Sequence, residues 1–134
     1  MLGFTALERA ILDAYEGIYG ANEPRLARQI AAARPASREN TGAGFHTYLT
    51  VDRTACEKIV AGGPLGDHYM HIEGMEHGVG ILLFFSEGYL NEIDGYSTAG
   101  EDTSAIDFTT TAFGPLTELI VPTAEAERPA ASGR

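Results

Sequence analysis

The sequence predicts an α+β fold in which two N-terminal helices pack on one face of an antiparallel sheet of about five strands. Three observations predict it. Apolar residues near the N-terminus recur with the period of a helix, those after residue 44 alternate with a period of two, and the connections between the alternating segments are short and rich in glycine. Because short connections join antiparallel neighbours, the second part of the chain is expected to form a meander.

The first helix is predicted to begin after Thr5, which can form a capping box with Glu8. Apolar side chains then follow at the spacing of one helical face. They are Leu7, Ala10, Ile11, Ala14, Tyr15 and Ile18. A second helix is expected after residues 22–24 and is stopped by Pro35.

The strands are predicted from alternating or continuously apolar segments. They cover residues 45–51, 69–73, 79–85, 89–96 and 106–113. The third is apolar throughout, so it is either covered on both faces or covered on one face with a contact surface on the other. A tight hairpin is expected at residues 86–88, and a bulge in the return strand, where Leu90 and Ile93 fall out of alternation.

A second capping box, Thr54 with Glu57, predicts a short helical turn between the first two strands. Cys56 lies on the apolar side of that turn and is expected to be a buried, inert thiol. Residues 37–40 are polar and are expected to connect the second helix to the first strand.

The length of 134 residues fits a single domain over residues 1–121, followed by a disordered tail over residues 122–134 that offers little to bury. A lone cysteine favours a reducing compartment. The chain has no hydrophobic leader and no apolar run long enough to span a bilayer, so we expect a cytoplasmic protein without a membrane partner.

The net charge of −10 arises in residues 59–121, which carry ten carboxylates and no lysine or arginine. A negative field of this kind repels nucleic acid phosphates and attracts basic proteins. We therefore expect no nucleic acid partner and consider a basic protein partner.

Potential metal ligands are densest between residues 67 and 77, where three histidines and three carboxylates fall within eleven residues. The spacing does not match a helical zinc motif, and strand alternation places only His71 and Glu73 on one side. These two are the metal candidates, but polar residues on an exposed strand and its turn are the preferred explanation of the pattern, and no cofactor is expected.

Strand alternation also places several polar side chains on the face away from the core: His46, Tyr48, Tyr69, His71 and Glu73. His46 or His71 could work with Glu73 as a general acid–base pair, because imidazole titrates near neutrality. The same residues could instead form a binding surface or a simple solvated strand face.

Three segments of the chain resemble a group of small uncharacterised bacterial proteins. They are Gly42-Ala43-Gly44-Phe45-His46-Thr47, the glycine-flanked apolar strand in residues 73–84, and Asp94-Gly95-Tyr96-Ser97. The group has a G-x-G-aromatic-x-T strand and an [ED]-G-[YF]-[ST] ending, and the resemblance covers residues 37–98. It implies no activity, only a compact domain whose glycines and tyrosines matter to the hairpin.

Two functional hypotheses follow. The first is a non-catalytic protein-binding module, similar to immunity or inhibitor proteins, that recognises a basic partner through acidic and aromatic residues. The predicted surface comprises Tyr48, Tyr69, Glu73, Glu76, Glu92, Asp94 and Tyr96. The alternative is a cone-shaped α+β small-molecule-binding protein or enzyme that uses His46, His71 and Glu73 in a pocket under the helices. A homodimer through the polar face and residues 79–85 is a third possibility.

Overall fold

The computed structural model describes residues 3–60 and 63–118 and shows the predicted α+β architecture. Two helices precede one antiparallel sheet of six strands with the order β1-β2-β5-β4-β3-β6. The elements are α1 (Ala6–Tyr19), α2 (Arg25–Ala31), β1 (Ala33–Asn40), β2 (Gly44–Val51), β3 (Leu65–Met70), β4 (Val79–Ser86), β5 (Tyr89–Ser97) and β6 (Thr117–Glu118). The predicted tail, residues 122–134, lies outside the described residues.

The capping box at the start of α1 is confirmed. The Thr5 hydroxyl accepts from the Glu8 backbone N–H at 3.1 Å, and Glu8 Oε1 accepts from the Thr5 N–H at 2.9 Å. The prediction for the buried face of the helix is right in part. Leu7, Ile11 and Tyr15 are buried as predicted, but Leu12 is buried as well and Ile18 is 45% exposed. Tyr15 donates a hydrogen bond of 2.9 Å to the carbonyl of Ile81 in β4. The helices therefore cover one face of the sheet, and the hydrophobic core lies between the helices and that face.

The hairpin between β4 and β5 is also confirmed. Its two connecting residues, Glu87 and Gly88, have positive φ angles of 56° and 86°, as a type I′ turn requires. The predicted bulge is present: Phe84 pairs with Glu92 whereas Phe85 pairs with Leu90, which leaves Asn91 as the extra residue. Because of this bulge, Leu90 enters the core and Glu92 lies on the opposite face.

The prediction that residues 37–40 are a connection is wrong. They belong to β1, an edge strand that pairs with β2 and contains Pro35 and a bulge between Pro35 and Ser37. An edge strand tolerates proline, because one side of its backbone needs no ladder partner. The pairing places Glu39 directly opposite His46.

The helical turn predicted from Thr54 and Glu57 is absent from the structure, in which no helix follows α2 within residues 3–60 and 63–118. Thr54 instead donates from its backbone N–H and its hydroxyl to the carboxylate of Asp52, a local bond that competes with helix formation. Cys56 is half-buried rather than buried, and its thiol lies 3.4 Å from the carbonyl oxygen of Asp52.

The strand predicted over residues 106–113 is likewise wrong. Asp107 accepts hydrogen bonds from the backbone and hydroxyl of Thr109 and so forms a turn, and only Phe113 makes a bridge, with Ile72. The strand predicted over residues 69–73 is shifted to Leu65–Met70, so the chain leaves the sheet at His71. No helix within the described ranges is both long and apolar enough to cross a membrane.

Candidate functional site

The sheet face opposite the helices carries half-buried and exposed side chains from β1 to β5, and we call it the open face. Its residues include Glu39, His46, Tyr48, Asp67, Tyr69, Leu82, Phe84, Glu92, Asp94 and Tyr96. At its centre Asp94 lies opposite His46 on one side and Leu82 on the other. Residues directly opposite one another in adjacent strands have neighbouring side chains, so the strand register assembles this group.

His46 lies at the centre of a group of carboxylates. Its Nε2 is 2.9 Å from Asp94 Oδ1, and its Nδ1 is 3.4 Å from Glu92 Oε2 and 3.8 Å from Glu39 Oε1. The Nδ1 atom is also 3.0 Å from the Tyr48 hydroxyl, which donates to Glu39 Oε1 at 3.3 Å. Three neighbouring strands of fixed register, β1, β2 and β5, hold these groups, so the arrangement does not depend on a flexible loop.

The two carboxylates from β5 are partly withdrawn from water. The side chains of Glu92 and Asp94 are 18% and 17% exposed. Burial raises the pKa of Asp94, while His46 opposes that rise. Burial also raises the pKa of Glu92, where His46 opposes it and the charges of Asp94 and Glu39 add to it. The neighbouring negative charges at this site therefore favour a nearby cation.

A second polar pair lies on the same face. The Tyr96 hydroxyl donates to Asp67 Oδ1 at 2.7 Å. Burial, followed by the hydrogen bond and the charge of Asp67, raises the pKa of Tyr96 to about 12. The ring lies over Gly80, where an added Cβ would come within 2.2 Å of Tyr96 Cζ. The glycine is therefore required for Tyr96 to lie flat across β4.

The predicted binding surface divides into two parts. Tyr48, Glu92, Asp94 and Tyr96 lie together on the open face, and Tyr69 shares that face by its register opposite Gly80. Glu73 and Glu76 lie apart from them, exposed in the loop of residues 71–78 between β3 and β4.

The residues proposed for catalysis or metal binding do not come together. His71 and Glu73 are exposed in the 71–78 loop, and neither makes an ion pair with the other or with His46 in the part of the chain that the structure describes. Among the described residues, the ligand atoms close enough to hold one metal ion belong to His46, Glu92 and Asp94.

The predicted binding surface did not include five open-face residues: Glu39, His46, Asp67, Leu82 and Phe84. Of these, His46 was placed on the polar face but assigned to the catalytic alternative. Glu39 was missed because β1 was not predicted. Leu82 and Phe84 belong to a continuously apolar strand, where no alternation shows which side chains leave the core. Asp67 could have been found from the glycine-bounded start of β3, but its pairing with Tyr96 depends on the strand order.

The pocket hypothesis receives little support from the cavities. The cavity beside His46 has about 120 Å³, and another of about 140 Å³ lies beside Tyr19. Larger cavities of about 260 and 320 Å³ lie beside Tyr89 and Lys58, and small-molecule sites usually occupy about 300–1,000 Å³. None of the predicted catalytic residues, His46, His71 and Glu73, borders the two larger cavities.

Family models, curated proteins and solved structures were compared with the chain, and none matches it. Function is therefore inferred from the geometry and charge of the open face.

Proposed function

We propose that the protein is a non-catalytic binding module that recognises a basic protein through the open face. The observation that carries this proposal is the convergence of three carboxylates, Glu39, Glu92 and Asp94, within 4 Å of the single imidazole of His46. A lysine or arginine side chain of a partner would be attracted to the same carboxylates. Tyr48, which is bonded to Glu39, lies beside them and adds an aromatic surface.

Apolar side chains lie next to this acidic group. Leu82 and Phe84 are half-buried on β4, directly opposite Asp94 and Glu92. Protein interfaces combine aromatic and aliphatic anchors with polar groups that fix the orientation of the partner. The open face offers both kinds of contact within two neighbouring strands.

The distribution of cations supports a basic partner. The open-face residues of β2 to β5 include no lysine or arginine. Arg38 bonds instead to Glu8 in the first helix. Arg34 shares the open face through its register opposite Thr50, but it lies at the far end of β1 from Glu39, where its charge acts on Asp52. Two copies of this face would bring like charges together, so charge complementarity favours a basic partner over a homodimer at this surface.

The alternative of a His/Glu enzyme has weaker support. His46 contacts carboxylates, but these are Asp94 and Glu92 rather than Glu73. A general acid–base pair acts on a substrate held within hydrogen-bond reach, and the cavity that His46 borders is about 120 Å³. We therefore place the binding module first.

The two parts of the predicted surface provide a matched experiment. The double variant Glu92→Gln/Asp94→Asn and the double variant Glu73→Gln/Glu76→Gln change the net charge equally, but only the first alters the open face. A partner is captured from an extract of the source organism on the immobilised protein and then purified. Its association and dissociation rates are measured with each variant at 50 and 300 mM salt.

The open-face variant is expected to weaken binding at least tenfold, mainly through faster dissociation, because close charge contacts are lost. The loop variant should change the association rate by less than about threefold, since it alters only the long-range field. Equal effects of the two variants, or unchanged binding by the open-face variant, would contradict the proposal. Failure to retain a basic protein would also contradict it.

A further inference from the structure

The group around His46 contains an imidazole as well as carboxylates, whereas binding of a basic protein requires only the carboxylates. It combines one imidazole with two carboxylates, from His46, Glu92 and Asp94, and one ligand atom from each lies within 4.8 Å of the other two. All three residues are half-buried, so the group is neither sealed in the core nor fully solvated. Imidazole and carboxylate are the ligands that zinc and related divalent ions accept in proteins.

The distances suit a shared ion. Zinc binds imidazole nitrogen and carboxylate oxygen at about 2.0–2.2 Å, so two ligand atoms on one ion lie about 3.0–3.5 Å apart, depending on the coordination geometry. His46 Nε2 and Asp94 Oδ1 are separated by 2.9 Å, so a small displacement would admit an ion between them. Glu92 lies on the same strand and the same face as Asp94, and one of its carboxylate oxygens is within 4.8 Å of the ligand atoms of His46 and Asp94. Its Oε2 is 3.4 Å from His46 Nδ1.

The other ring nitrogen of His46 already has a partner. When Nδ1 carries the proton it can donate to the Tyr48 hydroxyl at 3.0 Å, and Tyr48 then donates to Glu39 at 3.3 Å. In this tautomer the Nε2 lone pair faces Asp94 and is available to a metal ion. Metal-binding histidines are oriented in this way by an acceptor on the second nitrogen. In the other tautomer Nε2 donates to Asp94 Oδ1 at 2.9 Å, a hydrogen bond that a bound ion would replace.

Electrostatics point in the same direction. Glu39, Glu92 and Asp94 all lie within 4 Å of the imidazole of His46, and the side chains of Glu92 and Asp94 are only 18% and 17% exposed. A bound dication would offset the repulsion between these negative charges.

We propose that His46, Glu92 and Asp94 form a binding site for a divalent transition-metal ion of the zinc class. The half-buried position of the ligands leaves the remaining coordination positions open to water. This inference does not rest on the proposed protein partner, because it concerns the isolated chain and the metal alone.

The test is a calorimetric titration of Zn²⁺ into tag-free, chelator-treated protein at pH 7.5, repeated with Co²⁺ and its visible absorption. Three variants each remove one ligand: His46→Gln, Glu92→Gln and Asp94→Asn. The matched control, His71→Gln/Glu73→Gln, removes an imidazole and a carboxylate from the 71–78 loop. Circular dichroism and thermal unfolding without metal show whether each variant is folded.

The wild-type protein is expected to bind one ion per chain, and each ligand variant should weaken binding at least tenfold while the control stays within about twofold. Glu92→Gln and Asp94→Asn remove charges that repel one another, so these chains should remain folded. The proposal is overturned if wild-type protein shows no saturable one-to-one binding. It is also overturned if Asp94→Asn binds like wild type, or if the control loses binding instead.

Discussion

Glu8 and Arg38 form an ion pair with two hydrogen bonds that joins α1 to the edge strand β1. Arg38 Nε donates to Glu8 Oε2 at 2.6 Å and Nη2 donates to Oε1 at 2.8 Å. The Thr47 hydroxyl on β2 adds a bond of 2.7 Å to Oε2, and the Thr5 backbone donates to Oε1. One carboxylate, only 3% exposed, therefore connects a helix start to two strands.

Replacement of Arg38 by Met should destabilise the fold by about 2–3 kcal/mol. The variant leaves the buried carboxylate of Glu8 without its cation, and the cost is below that of a fully buried pair because Arg38 is 22% exposed. Urea unfolding at pH 7 measures the change. Arg28→Ala, at an exposed position of α2, is the control and should stay within about 0.5 kcal/mol. Similar losses in both variants would contradict a role for the pair.

The same carboxylate should give stability a specific pH dependence. Burial raises the pKa of Glu8, but the bonds from Arg38, Thr47 and Thr5 outweigh it, so the pKa is lowered from its usual 4.5. The stabilisation is therefore present above about pH 4.5 and is lost as the pH falls through the folded-state pKa. Glutamine can replace Glu8 in a capping box, so Glu8→Gln removes the charge with little change of shape. The stability difference between wild type and variant should shrink from pH 7 to pH 3 in urea titrations, and a constant difference would contradict this assignment.

Gln29 should be essential to the position of the β4–β5 hairpin. Its fully buried side chain donates to the carbonyls of Glu57 and Gly88 at 2.8 and 2.9 Å and accepts from the Leu90 N–H at 2.9 Å. Gln29→Met keeps the volume but removes the partner of the Glu57 carbonyl and the Leu90 N–H, while the Gly88 carbonyl still accepts from the Ile59 N–H. The loss should cost about 2 kcal/mol. In the variant, hydrogen exchange at the Leu90 amide should become faster than in the wild type, and the increase should be larger than at the Ile93 amide. Unchanged protection at Leu90 would show that the bond is dispensable.

Asp67→Asn should lower the pKa of Tyr96 from about 12, because the variant removes the negative charge that the hydroxyl faces. The pKa should remain above the ordinary value of 10.0, since burial is the largest cause of the rise. Carbon NMR of the tyrosine Cζ atoms during a base titration measures it. Asp102→Asn, in the loop after β5, is the control and should leave the Tyr96 titration unchanged.

Two glycine-to-alanine changes should have opposite signs. At Gly95, opposite Phe45, a Cβ would lie 2.3 Å from the Phe45 ring, so the variant should lose about 1–3 kcal/mol through overpacking. At Gly17, within α1, nothing lies within 4 Å and the variant should gain about 0.5–1 kcal/mol. Thermal and urea unfolding measure the stability of each variant against the wild type. Destabilisation at both positions would contradict the packing explanation.

Where the signal in the sequence was local, the fold could be predicted. The capping box of Thr5 and Glu8 and the two-residue turn at Glu87 and Gly88 are complete within a few residues, so α1 and the hairpin were identified. The failures have the opposite cause. The Thr54–Glu57 spacing also fits a capping box, but Asp52 takes the Thr54 hydrogen bonds, and the spacing alone does not reveal this competition.

The candidate site was only partly predictable for a related reason. Alternation placed His46 and Tyr48 on one face, and the surface prediction already included Glu92 and Asp94. That these four side chains are neighbours follows from the pairing of β2 with β5, which no local pattern specifies. The metal candidates His71 and Glu73 were chosen for their proximity in sequence, whereas the ligand atoms that converge come from strands far apart in the chain.

The pairing of β2 with β5 also has a kinetic consequence. The β4–β5 hairpin closes through two residues and can form within microseconds, whereas β2 must find β5 across the whole of residues 52–88. A newly made chain is therefore expected to hold Glu92 and Asp94 in a strand before His46 reaches them. Until β2 pairs with β5, the carboxylates of Glu92 and Asp94 therefore lack the contact with the imidazole of His46 that the folded protein provides.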